Sequence, residues 1–584
     1  MDSHVYRMPT NRITGGRSTA YDRKMQDRIA KKYPELRGTG EKKTLAEICR
    51  PREFELQRPQ KFLREFMSPD SDHTGILVYH EPGAGKTCTA ISIAEGYIGI
   101  QRPVVILPAF LRDNFRDELR TQCAGNAYIR ETEKNKLAKL DYDSPERERI
   151  IARTNERIDA NYDIYSYNKA VALLQKGELD LSNKLLIIDE VHNMISETGT
   201  YYNSLQNAIN GADPKPRIVL LSATPIFDRP AEFAQTMNLL LPDDQQMPSE
   251  GEFYEQFLET RTSKGVITHT MKNERAFRRM IRGYVSYNHG GSPIAYPKLE
   301  VEYVRVKMSQ YQYDIYQGIT DGSLLSSIGG LGKEVSNSFL IGSRMASNIV
   351  YPGGQMGMTG LEKMRQRDWS LDTIDRYAPK FSAIYDRIRN TRRPSMVYSG
   401  FKGPGGIAPL VLFLRAQGYK DVLEEGPGPN RYAVWSGDAT PEDKARILSL
   451  INNKDNVDSS MCTVLLGSPS IKEGVSLKRM GAVHILEPYW NTSRMDQVIG
   501  RARRLCSHAD LPKKSQVVQI YIYLAVHPKA KPFSVDERIL QMAIDKQQIN
   551  TQFSQAIKGA AVDCPLFHAD NSYSGEPEIV CNDS

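Results

Sequence analysis

Short, fully apolar runs separated by helical segments dominate two stretches of the chain. Such runs are typical of strands that are buried on both faces of a parallel sheet. In the first stretch the predicted strands are Ile76–Tyr79, Val104–Leu107, Ile164–Tyr165, Leu185–Ile188 and Ile218–Leu221. In the second they are Met396–Tyr398, Tyr432–Trp435, Thr463–Leu466, Val483–Leu486 and Val517–Leu524. Because strands alternate with helices in both stretches, we predict an α/β fold with two parallel sheets covered by helices.

The remaining regions have weaker patterns. Residues 1–50 include a helical segment at Ala20–Tyr33, and the apolar run Val301–Val306 begins a connecting region. Residues 323–360 are rich in Gly, Ser and Met with little periodicity, which predicts a flexible insertion. Apolar residues recur at helical spacing between Ile539 and Ile557. We therefore predict an N-terminal extension (1–50), a first domain (51–295), a connector with the insertion (296–379), a second domain (380–530) and a helical C-terminal segment (531–584).

The sequence HEPGAGKT at His80–Thr87 follows the first apolar run and precedes a helical segment. This order is typical of a phosphate-binding loop, in which backbone N–H groups at a helix start cradle phosphate oxygens. Lys86 is expected to reach the β- and γ-phosphates, and the Thr87 hydroxyl to bind Mg²⁺. The usual pattern has Gly where this chain has His80. The cradle is expected from the backbone of Gly83, Ala84 and Gly85.

An acidic motif, DEVH, follows the buried run Leu185–Ile188. Asp189 would then lie at the C-terminal end of a strand, facing the Mg²⁺ that Thr87 binds. Glu190 can polarise a water molecule for attack on the γ-phosphate. An acidic turn that only caps a helix would also explain the pair, but the Gly-rich loop upstream favours a nucleotide site. Together the two motifs predict ATP hydrolysis.

Length and composition indicate an intracellular globular protein. A chain of 584 residues suggests two or three domains. No apolar run reaches the roughly eighteen residues of a transmembrane helix, and the N-terminus lacks the apolar region of a secretory signal. The seven cysteines are scattered singly, without a CxxC pair. We therefore expect reduced thiols and no zinc module.

The positive charge is concentrated at the N-terminus. The net charge is +7, and residues 1–50 contain 12 Lys/Arg against 6 Asp/Glu. Such an extension could lie on a nucleic-acid phosphate backbone. A solvated extension without a partner explains the charge equally well.

The sequence QVIGRARR at Gln497–Arg504 has the QxxGRxxR form, and SATP occurs at Ser222–Pro225. With these motifs the chain resembles helicases and translocases of superfamily 2, which are built from two RecA-like domains. The family's motifs occur in order over residues 51–530. The segments that resemble them are Val105–Leu111 for motif Ia, Asp189–His192 for motif II, Ser222–Pro225 for motif III, Met396–Phe401 for motif IV, Gly467–Leu477 for motif V and Gln497–Arg504 for motif VI.

The resemblance implies a site completed by both domains, with ATP and Mg²⁺ as cofactors. Arg501 and Arg504 would supply positive charge to the γ-phosphate as arginine fingers. Gln60 matches the upstream glutamine that contacts adenine. In the second domain, Gln497 and Gly474 match nucleotide-binding positions, although Gln497 could also be an ordinary surface glutamine.

Three further residues have two interpretations each. His192 would link motif II to the second domain, or it is a hydrogen-bonded loop histidine. Tyr165–Tyr167 would contact a nucleic-acid backbone as motif Ib, or Tyr165 packs in the fold. Trp490 would line the path of a nucleic-acid strand, or it packs between the domains.

The details of the motifs resemble one branch of the superfamily. The DEVH form of the acidic motif differs from the RNA-directed DEAD-box group, and SATP together with Trp490-Asn491 resembles the Snf2-like enzymes, which translocate on DNA. The segments Glu473–Lys478 and Ala482–Leu486 resemble helicases of large cytoplasmic DNA viruses, namely the poxvirus early transcription factor small subunit. His80 is shared with the sister family, nucleoside triphosphate phosphohydrolase I. The resemblance implies a DNA-dependent ATPase in the virion and host cytoplasm, with no membrane partner. It would act with viral RNA polymerase or a second transcription-factor subunit, in initiation or termination.

Two alternatives remain open at this point. An RNA helicase acting on transcripts would share every motif. A helicase-like platform that binds DNA with weak hydrolysis is disfavoured because Lys86, Asp189, Glu190, Arg501 and Arg504 are all present.

Overall fold

The computed structural model of the protein describes residues 19–36, 44–49, 55–140, 144–196, 199–263, 266–320, 340–365, 369–472, 475–529, 532–572 and 577–581. The chain divides into two compact units. Unit 1 comprises Met1–Ser292 and Gln548–Ser584, and unit 2 comprises Pro293–Gln547. The C-terminal segment that we predicted at 531–584 is therefore divided between the two units.

A six-stranded parallel sheet forms the centre of the described part of unit 1. Its six strands are β1 (Gly75–His80), β2 (Pro103–Leu107), β3 (Asp163–Ser166), β4 (Leu185–Ile188), β5 (Arg217–Ser222) and β8 (Val285–Asn288). Between β5 and β8 in the chain, β6 (Leu258–Ser263) and β7 (Val266–Met271) form a separate hairpin. The order across the sheet is β3-β2-β4-β5-β1-β8. Because the strands are parallel, the C-terminal ends of β4, β5 and β1 lie side by side.

Alternate residues of these strands enter two hydrophobic cores, one on each face of the sheet. Leu77 and Ile106 belong to one core, and Ile76 and Val105 to the other. The helices of unit 1 are α1 (Thr19–Lys32), α2 (Leu45–Cys49), α3 (Arg58–Phe66), α4 (Lys86–Glu95), α5 (Arg112–Leu119), α6 (Glu131–Leu137), α7 (Pro145–Asp159), α8 (Tyr167–Gln175), α9 (His192–Ser196), α10 (Thr200–Gly211), α11 (Ala231–Asn238), α12 (Glu250–Phe257) and α13 (Glu274–Ile281).

Unit 2 is built on a second parallel sheet, which has seven strands in its described part. They are β9 (Lys298–Lys307), β10 (Ser395–Tyr398), β11 (Lys420–Asp421), β12 (Arg431–Trp435), β13 (Val464–Gly467), β14 (Ala482–Ile485) and β15 (Val517–Val526). The order is β11-β12-β13-β10-β14-β15-β9. Here too the two faces have separate cores, with Val397 in one and Met396 in the other.

The helices of unit 2 surround this sheet. They are α14 (Gln310–Thr320), α15 (Ile341–Asn348), α16 (Gly357–Arg365), α17 (Leu371–Tyr377), α18 (Pro379–Asn390), α19 (Ile407–Ala416), α20 (Val422–Glu425), α21 (Pro441–Ile451) and α22 (Thr492–Ala502). Two more helices follow, α23 (Val535–Gly559) and α24 (Cys564–Asn571). Within α23, Ile539 packs in the core of unit 2, whereas Phe553 packs in the core of unit 1.

The two parallel α/β sheets and every strand predicted within the two domains are confirmed. The prediction of a flexible insertion at 323–360 is wrong for residues 340–360, because α15 and the segment after it bury Ala346, Ile349 and Val350. Residues 321–339 lie outside the described residues. The run Val301–Val306 is not a connector, since it lies within β9 and pairs in parallel with β15.

The expectation of reduced thiols is also wrong. Cys88 is joined to Cys123, and Cys564 to Cys581. These cysteines are separated by 35 and 17 residues, so their proximity depends on the tertiary fold rather than on a local motif. Cys462 is a buried free thiol.

No helix in the described ranges is long and apolar enough to span a membrane. The same ranges contain no group of three or more His, Cys, Asp and Glu side chains with the geometry of a metal site.

A buried ion pair in unit 2 gives a stability prediction. Lys380 Nζ donates to Asp536 Oδ2 at 2.6 Å and to Asn348 Oδ1 at 3.0 Å, and the side chains of Lys380 and Asp536 are 1% and 0% exposed. Lys380→Met is expected to lower the free energy of unfolding by about 3–5 kcal/mol, because it leaves the Asp536 carboxylate buried without its cation. Urea unfolding would measure the loss. Lys61→Met, at a half-buried site outside this network, is the control; equal stability of both variants would contradict the prediction.

Candidate nucleotide-binding and hydrolysis site

The phosphate-binding loop joins β1 to α4 in unit 1. Gly85 precedes the first residue of α4 and has a left-handed backbone with φ of 77°. This left-handed backbone favours glycine. A Cβ atom at Gly85 would lie 2.6 Å from Gln60 Nε2, so the end of the Gln60 side chain would have to move to accommodate it. Gly83 is also left-handed, with φ of 87°. The loop therefore leads into the start of α4, as the sequence predicts. Its middle residue, Ala84, is buried.

Gln60 is held against this loop rather than projecting into solvent. Its side-chain nitrogen donates to Gly85 O at 3.3 Å, and its side-chain oxygen accepts from Gln57 N at 2.8 Å. Gln60 is only 3% exposed. In this structure both ends of its amide group contact protein backbone, and the predicted adenine contact stays a prediction.

His80, the atypical first residue of the loop, is completely buried at the end of β1. Its Nε2 lies 3.2 Å from Ser286 Oγ on β8. Burial lowers the pKa of His80 to about 3, and the nearby positive charge of Lys86 acts in the same direction. The imidazole is therefore neutral at physiological pH.

The acidic pair of motif II stands opposite the loop. Asp189 and Glu190 follow β4, and Lys86 Nζ lies 3.5 Å from Glu190 Oε1. Burial, followed by repulsion from Glu190, raises the pKa of Asp189, while the charge of Lys86 lowers it. A cation at this position would relieve the cost of ionising both carboxyl groups.

Oxygen donors suitable for Mg²⁺ are present at the site. Thr87 supplies a hydroxyl at the start of α4, and Asp189 supplies a carboxylate that is 6% exposed. Mg²⁺ commonly takes one or two protein oxygen ligands and completes its coordination with water and nucleotide phosphate. Thr87 and Asp189 are therefore the residues that would hold the ion.

Tyr167 is a functional candidate whose role the sequence did not reveal. Its hydroxyl donates to the backbone carbonyls of Asp189 and Glu190, the latter at 2.9 Å. Glu190 has a left-handed backbone with φ of 51°, which is uncommon for a residue with a side chain. We infer that Tyr167 fixes this turn and thereby the direction of both carboxylates. This contact forms because Tyr167, the first residue of α8, lies beside the end of β4 in the folded protein, so the sequence alone does not predict it.

His192 connects motif II with motif III inside unit 1. Its Nδ1 lies 3.3 Å from Ser222 Oγ and 3.5 Å from Glu190 Oε2. The imidazole stacks on Phe227, with ring centroids 5.3 Å apart. The Ser222 hydroxyl also accepts from Thr224 N at 3.0 Å. If Glu190 moved, His192 would therefore move with it and shift the SAT segment at Ser222–Thr224.

The remaining predicted site residues belong to unit 2. Gln497 and Arg501 lie on α22, and Arg504 follows the end of that helix. Arg501 Nη1 donates to Val475 O at 3.5 Å, and Leu477 N donates to Arg501 O at 3.0 Å. Motif VI is thus attached directly to motif V. Gly474 lies outside the described residues.

An aromatic cluster lies beside motif IV in unit 2. The rings of Tyr489 and Trp490 stack with centroids 3.8 Å apart. The guanidinium of Arg344 lies 5.4 Å from the Trp490 ring and 5.1 Å from the Phe401 ring. Trp490 therefore packs within unit 2, and a role in the path of a nucleic-acid strand stays a prediction.

Two protein families and several viral proteins are similar to this chain. Residues 23–227 match the family described as type III restriction enzyme, res subunit, and residues 412–506 match the helicase conserved C-terminal domain. A protein named as an ATP-dependent RNA helicase of Acanthamoeba polyphaga mimivirus is 45% identical, over 95% of this chain and 96% of the relative. A protein named as a helicase of Invertebrate iridescent virus 3 is 27% identical, over 91% of this chain and 56% of the relative. A termination factor NPH-I homolog of African swine fever virus is 25% identical, over 84% and 76%.

Two RecA-like sheets carrying these motifs define a superfamily 2 helicase, an enzyme that hydrolyses ATP. The relatives identify the branch of this superfamily, because they come from several viruses with large DNA genomes. The chain belongs to the superfamily 2 helicases of large cytoplasmic DNA viruses.

Proposed function

We propose that the protein is a DNA-dependent translocase or helicase that acts in viral transcription. The observation that carries the catalytic part is the cluster of Lys86, Asp189 and Glu190 at the C-terminal edge of the unit 1 sheet. The 3.5 Å distance between Lys86 Nζ and Glu190 Oε1 supports this part, because a cation that binds the γ-phosphate and a base that activates the attacking water must act side by side. The transcription role is supported by the relatives named termination factor NPH-I homolog.

Each residue of the site has a proposed part in the reaction. Lys86 and the loop N–H groups bind the phosphates, and the backbone of the loop orients the γ-phosphate. Glu190 accepts a proton from the attacking water through its carboxylate. Mg²⁺, held by Thr87 and Asp189, would neutralise phosphate charge. Arg501 and Arg504 would stabilise charge on the transferred phosphoryl group, and Gln60, Gln497 and Gly474 would contact the nucleotide.

An RNA helicase that acts on transcripts is the second candidate. It is supported by the relative named as an ATP-dependent RNA helicase, which is 45% identical to this chain. Exposed Phe110, which follows β2, could stack on a base of either nucleic acid, since stacking is tolerant of sequence and sugar.

The test is ATP hydrolysis by the full chain without nucleic acid and with single-stranded DNA, duplex DNA or RNA. DNA-selective stimulation that disappears in Lys86→Ala is the expected result. Equal or greater stimulation by RNA would favour the transcript helicase. Hydrolysis by Lys86→Ala at the native rate would refute the proposed site, and absence of hydrolysis in the native chain under every condition would favour a platform subunit.

A further inference from the structure

The last part of unit 1 lies along β8, at the open edge of the sheet. Residues 558–571, the C-terminal strap, include the end of α23 and all of α24. Val562 N donates to Val285 O at 2.8 Å. The Asn571 side chain donates to Tyr287 O at 3.1 Å and accepts from His289 N at 2.8 Å. The strap thus pairs backbone groups of β8 that a further strand would otherwise pair.

One polar chain runs from the strap to the first residue of the phosphate-binding loop. Asp563 is fully buried and accepts from Tyr287 N at 3.0 Å and from Ser286 Oγ at 2.5 Å. Burial raises the pKa of Asp563 to about 6, so the group is largely a carboxylate at neutral pH and acts as an acceptor. Because the Ser286 proton points to Asp563, the Ser286 oxygen accepts from His80 Nε2 at 3.2 Å.

A second contact joins the strap to the next residue of the loop. Lys558 Nζ lies 3.4 Å from Glu81 Oε1, and the same oxygen accepts from the Tyr287 hydroxyl at 2.9 Å. The Lys558 side chain is 9% exposed and lies over the Tyr287 ring at 4.5 Å. Glu81 N also donates to Asn288 O at 3.0 Å. Two consecutive loop residues are therefore held by strap residues hundreds of positions later in the chain.

We propose that the C-terminal strap positions the phosphate-binding loop for ATP, with Asp563 and Lys558 as positioning residues. This inference rests on the proposed assignment of Gly83–Thr87 as the ATP phosphate site. It also explains His80, because a glycine at that position has no side chain to reach Ser286. The imidazole provides the hydrogen bond through which the strap holds the end of β1.

Docking of the strap and binding of nucleotide should affect each other equally, because the coupling between two equilibria is reciprocal. If the docked strap favours the loop conformation that binds ATP, nucleotide binding favours the docked strap by the same factor. The strap would then be more protected from hydrogen exchange in the nucleotide-bound protein. For exchange that occurs by local opening of the strap, a purely structural strap would be equally protected with and without nucleotide.

Ser286→Ala breaks the chain between Asp563 and His80 while removing a single oxygen atom. We expect the KM for ATP to rise about 3- to 10-fold, as for the loss of one or two hydrogen bonds, with kcat at saturating ATP within about twofold. Saturating nucleotide would restore the loop conformation, which is why kcat is retained. Ser347→Ala, in unit 2, removes an equally buried hydroxyl that donates to Ser343 O at 3.0 Å. This control should keep the native KM.

A native KM in Ser286→Ala would overturn the positioning role, as would a loss of kcat with unchanged KM. Hydrogen exchange of residues 558–571 in the full native chain, with and without ADP and Mg²⁺, provides a second measurement that needs no variant. Slower exchange with ADP is expected, and identical exchange would contradict the proposal. Lys86→Ala tests the phosphate site separately: native activity there would remove the basis of both proposals, whereas inactivity there with a native KM in Ser286→Ala would overturn only the strap.

Discussion

Glu190→Gln is expected to slow ATP hydrolysis about 10²–10⁴-fold, the usual contribution of a general base, while ATP binding is retained. Gln has the same shape and can occupy the same left-handed backbone position, but its amide cannot accept a proton from water. The loss should therefore fall on kcat. Single-turnover hydrolysis and equilibrium binding of ATP would measure the two effects separately.

The matched control for this variant is Glu148→Gln on α7, where the side chain is exposed. It should hydrolyse ATP at the native rate. If Glu190→Gln retained more than about a tenth of native kcat, Glu190 would not be the base. If that variant failed to bind ATP, its role would lie in organising the site instead.

Arg504→Ala is expected to reduce kcat about 10³–10⁵-fold, the range found for arginine fingers. The physical reason is that phosphoryl transfer spreads negative charge over the γ-phosphate oxygens, and a guanidinium stabilises that charge in the transition state. Steady-state hydrolysis with saturating nucleic acid and ATP would show the loss. Arg501→Ala should have a similar kinetic effect and could also loosen motif V, because Arg501 donates to Val475 O.

Arg503→Ala is the control next in sequence, since the Arg503 guanidinium lies over the Tyr296 ring at 5.6 Å. It should change kcat by no more than a few-fold. A larger loss in Arg503→Ala than in Arg504→Ala would reverse the assignment of the finger.

The strands could be predicted from sequence wherever burial on both faces produces an uninterrupted apolar run, as in Leu185–Ile188. The strand β8 was not predicted, because Ser286 and Asn288 interrupt the run of apolar residues that marks the other strands. Those polar side chains are buried, and Ser286 is paired with residues from opposite ends of the chain. The buried core at Ile349–Tyr351 was hidden for a different reason, since the Gly- and Ser-rich residues around it have no clear period.

The catalytic motifs were visible because phosphate chemistry requires particular residues at fixed spacing, as in Gly85-Lys86-Thr87. The supporting contacts were not visible. Tyr167 meets Glu190 only because β3 and β4 are close in the sheet, with β2 between them. The engagement of Gln60 with Gly85 likewise depends on how α3 packs beside α4. Such contacts join residues at irregular separations in the sequence, so no local sequence pattern predicts them.

The way β8 is paired has a practical consequence for shortened forms of the protein. A chain ending before Val562 would retain every helicase motif but would leave β8 with unpaired backbone N–H and C=O groups. Exposed strands of this kind recruit strands from other molecules, which leads to aggregation. Inactivity of such a truncated protein would therefore report self-association as much as lost catalysis, and full-length chains with single substitutions are the sounder material for enzymology.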